Sequence, residues 1–344
     1  MGGAAGSPRV LPTVVSLGTT FLFQQPKLVI QCQIMYKAWI LLSLAPLVSL
    51  AADFEIKNQA EFDKIFAKDA KVQKPGGGFI FVEGPVWVPE KGGGHLIFSD
   101  LRADELKRWD AAGGVTTFRK PSGQANGNTL DLEGRLVTGE HTGRVSRTGK
   151  DGVVRTLVST FEGKALSSPN DVVVKSDGTV WFTDPDYGLG SRKKETQGNW
   201  VYRYDPRSSK LTPVVQSGDK PNGLCFGPGE TTLYVADSGA PHHIRAFTVQ
   251  GGTKLTNERI FAVVDKGVPD GIRCDTGGRV WSSSGDGVQI FSPKGELIAR
   301  ILLPETAANV AFGGPNGRTL FMTATSSLYS VETLVRATPR AGSR

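Results

Sequence analysis

The sequence predicts an all-β protein, a six-bladed β-propeller, and three observations predict it. One pattern recurs six times: an Asn, Asp or Glu, a short apolar run, a Gly-containing turn and a second apolar run. The openings are Glu83, Asn126, Asn170, Asn222, Asp270 and Asn309, and the second runs end at Asp100, Glu140, Asp184, Asp237, Ser284 and Ala324, 14 to 17 positions later. Most units then carry a third run and an edge-like fourth, as in Glu105 to Trp109 followed by Val115 to Phe118. Four short strands in about 40–50 residues is the signature of a propeller blade. Finally, the 43 glycines cluster in turn-like pairs such as Asp177-Gly178 and Asn316-Gly317, as a chain of many short strands requires.

The runs rarely alternate strictly between apolar and polar residues. Blade faces stack on neighbouring blades, so both sides of a strand are buried and alternation is lost. A β-sandwich pair or another closed β array would not account for six comparable periods. Innermost strands of blades line a central channel. The six opening side chains therefore approach one end of that channel.

Domain organisation follows from composition shifts. Residues 79–335 hold the six repeats and 336–344 form a C-terminal tail. Residues 53–78 form a lead-in, in which Ala60 to Ala70 reads as a short amphipathic helix with Phe62, Ile65 and Phe66 on its apolar side. Residues 35–52 read as a signal peptide: Lys37, an apolar stretch from Ala38 to Leu50, and a small-residue end at Ser49-Leu50-Ala51. That stretch is too short for an ordinary membrane span. Residues 1–34 then read as an over-extended N-terminus, with translation starting at Met35 and the product exported to the periplasm or beyond.

Composition excludes several classes. Apolar content is 39% and charged content 21%, which fits a packed core and not a disordered chain. The net charge of +7 is inflated by residues 1–52, which hold Arg9, Lys27 and Lys37 and no acid. No basic run with interleaved aromatics points to nucleic acid, and Arg192-Lys193-Lys194 reads as a solvated loop. Cys32, Cys225 and Cys274 have no zinc or disulfide spacing; the last two read as buried thiols, with a bridge between them open to an exported chain. No Gly-x-Ser-x-Gly elbow suggests a serine esterase.

The openings carry fuller phrases: Glu83-Gly84-Pro85-Val86-Trp87, Asn126-Gly127, Ser168-Pro169-Asn170-Asp171, Phe182-Thr183-Asp184-Pro185-Asp186-Tyr187-Gly188, Pro221-Asn222-Gly223 and Pro269-Asp270-Gly271. In this order and spacing, from about residue 79 to 331, they resemble the SMP-30/gluconolactonase/LRE family. The Phe182 to Gly188 run, Gly139-Glu140-His141 and Phe312-Gly313-Gly314-Pro315 are most similar to its bacterial and fungal gluconolactonases. Gln124 stands where the family's usual second-blade phrase has Arg.

The resemblance implies that Glu83, Asn170, Asn222 and Asp270 bind one divalent cation in the central channel. Two carboxylates and two amide oxygens make an all-oxygen set suited to Ca²⁺, with Mg²⁺ or Mn²⁺ as alternatives. Zn²⁺ stands last, because it favours His and Cys, which the openings lack. A wet channel would by itself explain Asn309 and Asn126. It explains Glu83 and Asp270 poorly, since two carboxylates near one axis repel unless a cation lies between them. The implied activity is opening of a small-molecule lactone. Asp270 is then the general base, and Asn126 and His141 contact substrate or support the residues that do. A phosphotriesterase on the same site, or a propeller that binds without catalysis, are the competing expectations. His141 in a packing role, and Asp171, Asp184 and Asp237 as acceptors of backbone N–H groups, are the structural readings.

Overall fold

The computed structural model describes residues 53–339. Residues 1–34 and 35–52, expected to be an over-extended N-terminus and a signal peptide, and most of the C-terminal tail lie outside them. Among the described residues no helix is long and apolar enough to cross a membrane.

Six antiparallel sheets of four or five strands form the blades, in chain order. Their innermost strands are Val82–Glu90, Ala125–Leu130, Val172–Val174, Pro221–Phe226, Ile272–Cys274 and Ala307–Gly313. The second strands end at the six positions read from the repeat, from Asp100 to Ala324.

Closure of the ring uses the N-terminal segment. Blade six takes three strands from residues 307–332, and its outermost strand is Gln73–Gly77, paired with Ser327–Glu332. Phe54–Ile56 adds a fifth strand to blade five along Leu297–Leu302. Residues 53–78, read as a lead-in, thus carry blade strands as well as a helix. Alternation could not reveal this, because Gln73-Lys74-Pro75-Gly76-Gly77 has no strand-like composition and pairs through backbone alone. The helix is shorter than the sequence suggested, Gln59–Phe62, capped by Asn58 Oδ1 accepting from Glu61 N at 3.2 Å. Its apolar side behaves as expected: Phe62, Ile65 and Phe66 are buried against blades five and six beside Trp281 and Ile298.

The core is distributed between blades. Six apolar clusters fill the six junctions, for example Trp181, Leu224, Leu233 and Phe247 between blades three and four. Val82, Phe98, Phe321 and Leu328 close the ring between blades six and one, where Trp87 stacks on Phe321 at 5.6 Å. Cys225 and Cys274 lie as free, buried thiols in the junction of blades four and five.

Candidate active site at the hub

The inner strands break regular pairing where the opening residues sit. Register shifts fall between Glu83 and Val86, Ala125 and Asn128, Pro221 and Leu224, and Ala307 and Asn309. In blades three and five the regular strand starts only at Val172 and Ile272, just past Asn170 and Asp270. Irregular backbone of this kind re-aims side chains.

The inner ends of the blades touch one another around the whole circle. Ser99 Oγ of blade one donates to Asn126 O at 2.6 Å, and Gly127 N to Asn170 O at 2.9 Å. Thr183 Oγ1 donates to Asn222 O at 2.7 Å, and Gly223 N to Asp270 O at 3.1 Å. Gly271 N donates to Ala308 O at 2.8 Å, and Asn309 Nδ2 to Glu83 Oε2 at 3.1 Å. This contact explains the Asn-Gly and Asp-Gly phrases. Neither Gly223 nor Gly271 adopts positive φ, yet a Cβ on Gly223 would lie 2.2 Å from Asp270 O, and one on Gly271 1.9 Å from Asn309 Cγ. Glycine is needed there for close approach of blades and not for a turn.

Both opening carboxylates are raised, and the charge of Glu83 acts on Asp270. Burial pushes the Glu83 carboxyl up to about 7, opposed by Gly84 N at 2.8 Å and the Asn309 amide. Burial also raises Asp270 well above the aspartate range, with the charges of Glu83 and Asp171 adding to it and the Asn222 amide opposing it. Glu83, Asp270 and Asn222 therefore form one electrostatic group. Asn170 is buried on the same ring, pinned through its backbone by Gly127 and by Thr183 O at 2.8 Å.

Among the described residues, two amide oxygens at the hub have no hydrogen-bond partner. Asn222 Nδ2 donates to Ser238 Oγ at 3.0 Å while its Oδ1 is buried and unsatisfied. Asn126 Nδ2 lies 3.0 Å from His141 Nε2 while its Oδ1 is likewise buried and unsatisfied. With the amide nitrogen facing the ring, Nε2 accepts and the imidazole proton sits on Nδ1. Burial, with Arg192 nearby, lowers His141 to about 4, so it is neutral at physiological pH.

Raised buried carboxylates and orphaned buried oxygens are what a hard divalent cation would satisfy, so the residues present fit one. Among the described residues no three or more His, Cys, Asp or Glu side chains converge as a metal cluster. A cation would therefore lean on amide oxygens as well as on the two carboxylates.

The strand-end acids behave as backbone acceptors. Asp184 accepts from Ser167 N and Ser168 N at 3.0 and 2.8 Å, and Asp237 from Asp219 N and Lys220 N at 2.9 and 2.8 Å. Asp171 also accepts a backbone N–H, from Val172 at 2.9 Å, and its carboxylate accepts from Arg273 Nη1 at 2.9 Å as well. The Arg192-Lys193-Lys194 run is also less free than a solvated loop. Arg192 Nη2 donates to Ser167 O at 2.6 Å and to His141 O at 2.5 Å. The same loop carries Tyr187, half-exposed over the hub, whose phenol burial pushes up to about 12 and whose neighbours are Ser238, Asn222 and Asp270. Nothing in the repeat pattern marks Arg273 or Ser238, which lie off the aligned openings; Tyr187 stands in the Phe182 to Gly188 phrase, which gave it no role.

Fold and hub together define a closed six-bladed propeller whose inner strands open on buried carboxylate and amide side chains. The chain belongs to the SMP-30/gluconolactonase/LRE family: residues 81–326 match the SMP-30/Gluconolactonase/LRE-like region. A gluconolactonase of Zymomonas mobilis subsp. mobilis is 33% identical over 282 residues, covering 73% of this chain and 78% of its own. The solved structure of a gluconolactonase from Xanthomonas campestris is 35% identical with a TM-score of 0.77, covering 82% of this chain and 95% of that one. A calcium-binding regucalcin from Agrobacterium tumefaciens is 20% identical with a TM-score of 0.66, covering 79% and 97%, and speaks for the fold alone.

Proposed function

We propose that the protein is a divalent-cation-dependent lactonase that opens a sugar lactone of the gluconolactone type to its aldonic acid. The observation that carries this is the pairing of Glu83 and Asp270 beside the unsatisfied amide oxygens of Asn126 and Asn222. The relatives named gluconolactonase support the substrate class.

Glu83, Asn170, Asn222 and Asp270 would hold the cation, Ca²⁺ by preference for an all-oxygen set. Such an ion polarises an ester carbonyl and acidifies water. Asp270, partly open to the channel and raised by its surroundings, accepts the proton of the attacking water. Neutral His141 holds the Asn126 amide through Nδ2 and leaves Oδ1 to accept from a substrate hydroxyl. Tyr187 and the loop tied down by Arg192 flank the mouth and shield the ester from bulk water.

A panel of aldonolactones, aromatic lactones and phosphotriesters, assayed with metal-stripped and replenished protein, tests the proposal. Fast, cation-restored opening of aldonolactones is expected. Preference for phosphotriesters, or no turnover with intact ligand binding, would refute it. Export from a Met35 start belongs to the same proposal; N-terminal sequencing of the expressed precursor checks the start, and that of the mature protein checks the cleavage.

A further inference from the structure

Two residues depart from the repeat at the hub, and they meet each other. The residue after the opening is Gly84, Gly127, Gly223 or Gly271 in four blades and Val310 in blade six; in blade three it is Asp171. Three positions after the opening stand Val86, Thr129, Val173, Cys225 and Phe312; in blade five it is Arg273. Asp171 is fully buried, and Arg273 donates to it in a forked pair, Nη1 to Oδ2 at 2.9 Å and Nη2 to Oδ1 at 3.5 Å. Val172 N holds Oδ1 at 2.9 Å, and Ile272 O accepts from Nη1 at 2.7 Å, so both partners are oriented by their own backbones.

Blades three and five are not neighbours. The guanidinium therefore reaches past blade four on its inner side, where Arg273 and Cys225 line one cavity of the channel. Both opening carboxylates feel the pair: Glu83 responds to Asp171 and Arg273, and Asp270 to Asp171. A buried ion pair is a weak source of stability, because desolvation cancels most of its attraction. Its position under the hub calls for a different role.

We propose that the Asp171–Arg273 pair is the charge-setting and positioning element of the cation site. Glu83, Asp171 and Asp270 with Arg273 carry a formal charge of −2, which one divalent ion neutralises. Because Asp171 adjoins Asn170 and Arg273 lies three residues from Asp270, the same contact fixes the separation of two ligands. This rests on the cation reading given above, and its test separates the two.

The full-length folded protein is titrated calorimetrically with Ca²⁺ alone and with Tb³⁺ alone, and the ratio of affinities is compared among variants. A general loss of geometry weakens both ions and cancels in that ratio, whereas a change of net charge does not. R273M should raise the Tb³⁺ to Ca²⁺ ratio about tenfold, the size expected for one unit charge at ~8 Å and an effective dielectric of ~30. D171N should lower it by a similar factor, and the R273M/D171N double variant, again at −2, should return it to within about threefold of the parent. R273K, which keeps charge and loses the fork, should hold the ratio while weakening both ions. If R273M does not fold, D171N and the double variant carry the test. An ion pair that only supports the fold would shift melting temperatures and leave every ratio unmoved; that result overturns the proposal and leaves the cation site standing. A parent protein that binds neither ion removes both.

Discussion

Replacing Glu83 by glutamine should have opposite effects on stability with and without a cation. Glu83 is 2% exposed, and burial raises its carboxyl from 4.5 to about 7. The ionised form is therefore disfavoured in the folded hub by about 3 kcal/mol. The sign follows from the direction of that shift. Below the unfolded value the carboxyl is protonated in both states and carries no penalty. As pH rises from about 4.5 through about 7, the unfolded state releases its proton first and stability is lost. Glutamine keeps an acceptor for Gly84 N and Asn309 Nδ2, and it carries no charge. In chelator, E83Q should match the parent near pH 4.5 and exceed it by up to about 3 kcal/mol at pH 8. For a chain of this size that is a rise in Tm of roughly 5 °C. In excess Ca²⁺ at pH 8 the order should invert, because the parent gains binding energy that the variant has lost. Thermal melts by circular dichroism across pH, with chelator and with Ca²⁺, measure all four cases. A Tm difference that ignores pH, or that keeps one sign in both solutions, would refute the reasoning.

Other outcomes follow from the same geometry. Asp270→Asn should fold normally and lose lactone turnover by a factor of about 10² or more; near-parental kcat would remove Asp270 from the base role. Exhaustive chelation should abolish hydrolysis of gluconolactone and Ca²⁺ or Mn²⁺ should restore it; undiminished activity with no metal by elemental analysis would defeat cation dependence. Gly223→Ala should cost roughly 1–3 kcal/mol in denaturant unfolding, because its Cβ would lie 2.2 Å from Asp270 O and blades four and five must part; a change below ~0.5 kcal/mol would show that the junction yields easily. His141→Phe should raise KM for the lactone with little change in kcat, since the Asn126 amide loses its holder; an unchanged KM would leave His141 a packing residue.

The blade count and strand ends were legible because each blade is a local unit. Its four strands follow one another in sequence, so Leu96 to Asp100 or Val180 to Asp184 can be found from turns and apolar runs alone. Blade six resists such reading: its outer strand, Gln73–Gly77, comes from the other end of the chain and pairs through backbone groups that every residue carries. The repeat gave no reason for the glycines after the openings; Gly223 is there because the backbone of Asp270 leaves no room, and Gly271 because the side chain of Asn309 leaves none. Asp171 looked like a turn acid because its partner, Arg273, lies 102 residues away.

The sequence by itself determined the repeat, the oxygen-bearing residue that opens each blade and the buried sides of the helix near Phe62. These depend on periodicity and composition, which are written along one dimension. Only the tertiary structure decided which openings share a field, which amide oxygens are left without a partner, and that a guanidinium passes beneath them. Those are properties of distance across a closed ring, and closing the ring brings together groups whose spacing along the chain carries no mark of their meeting.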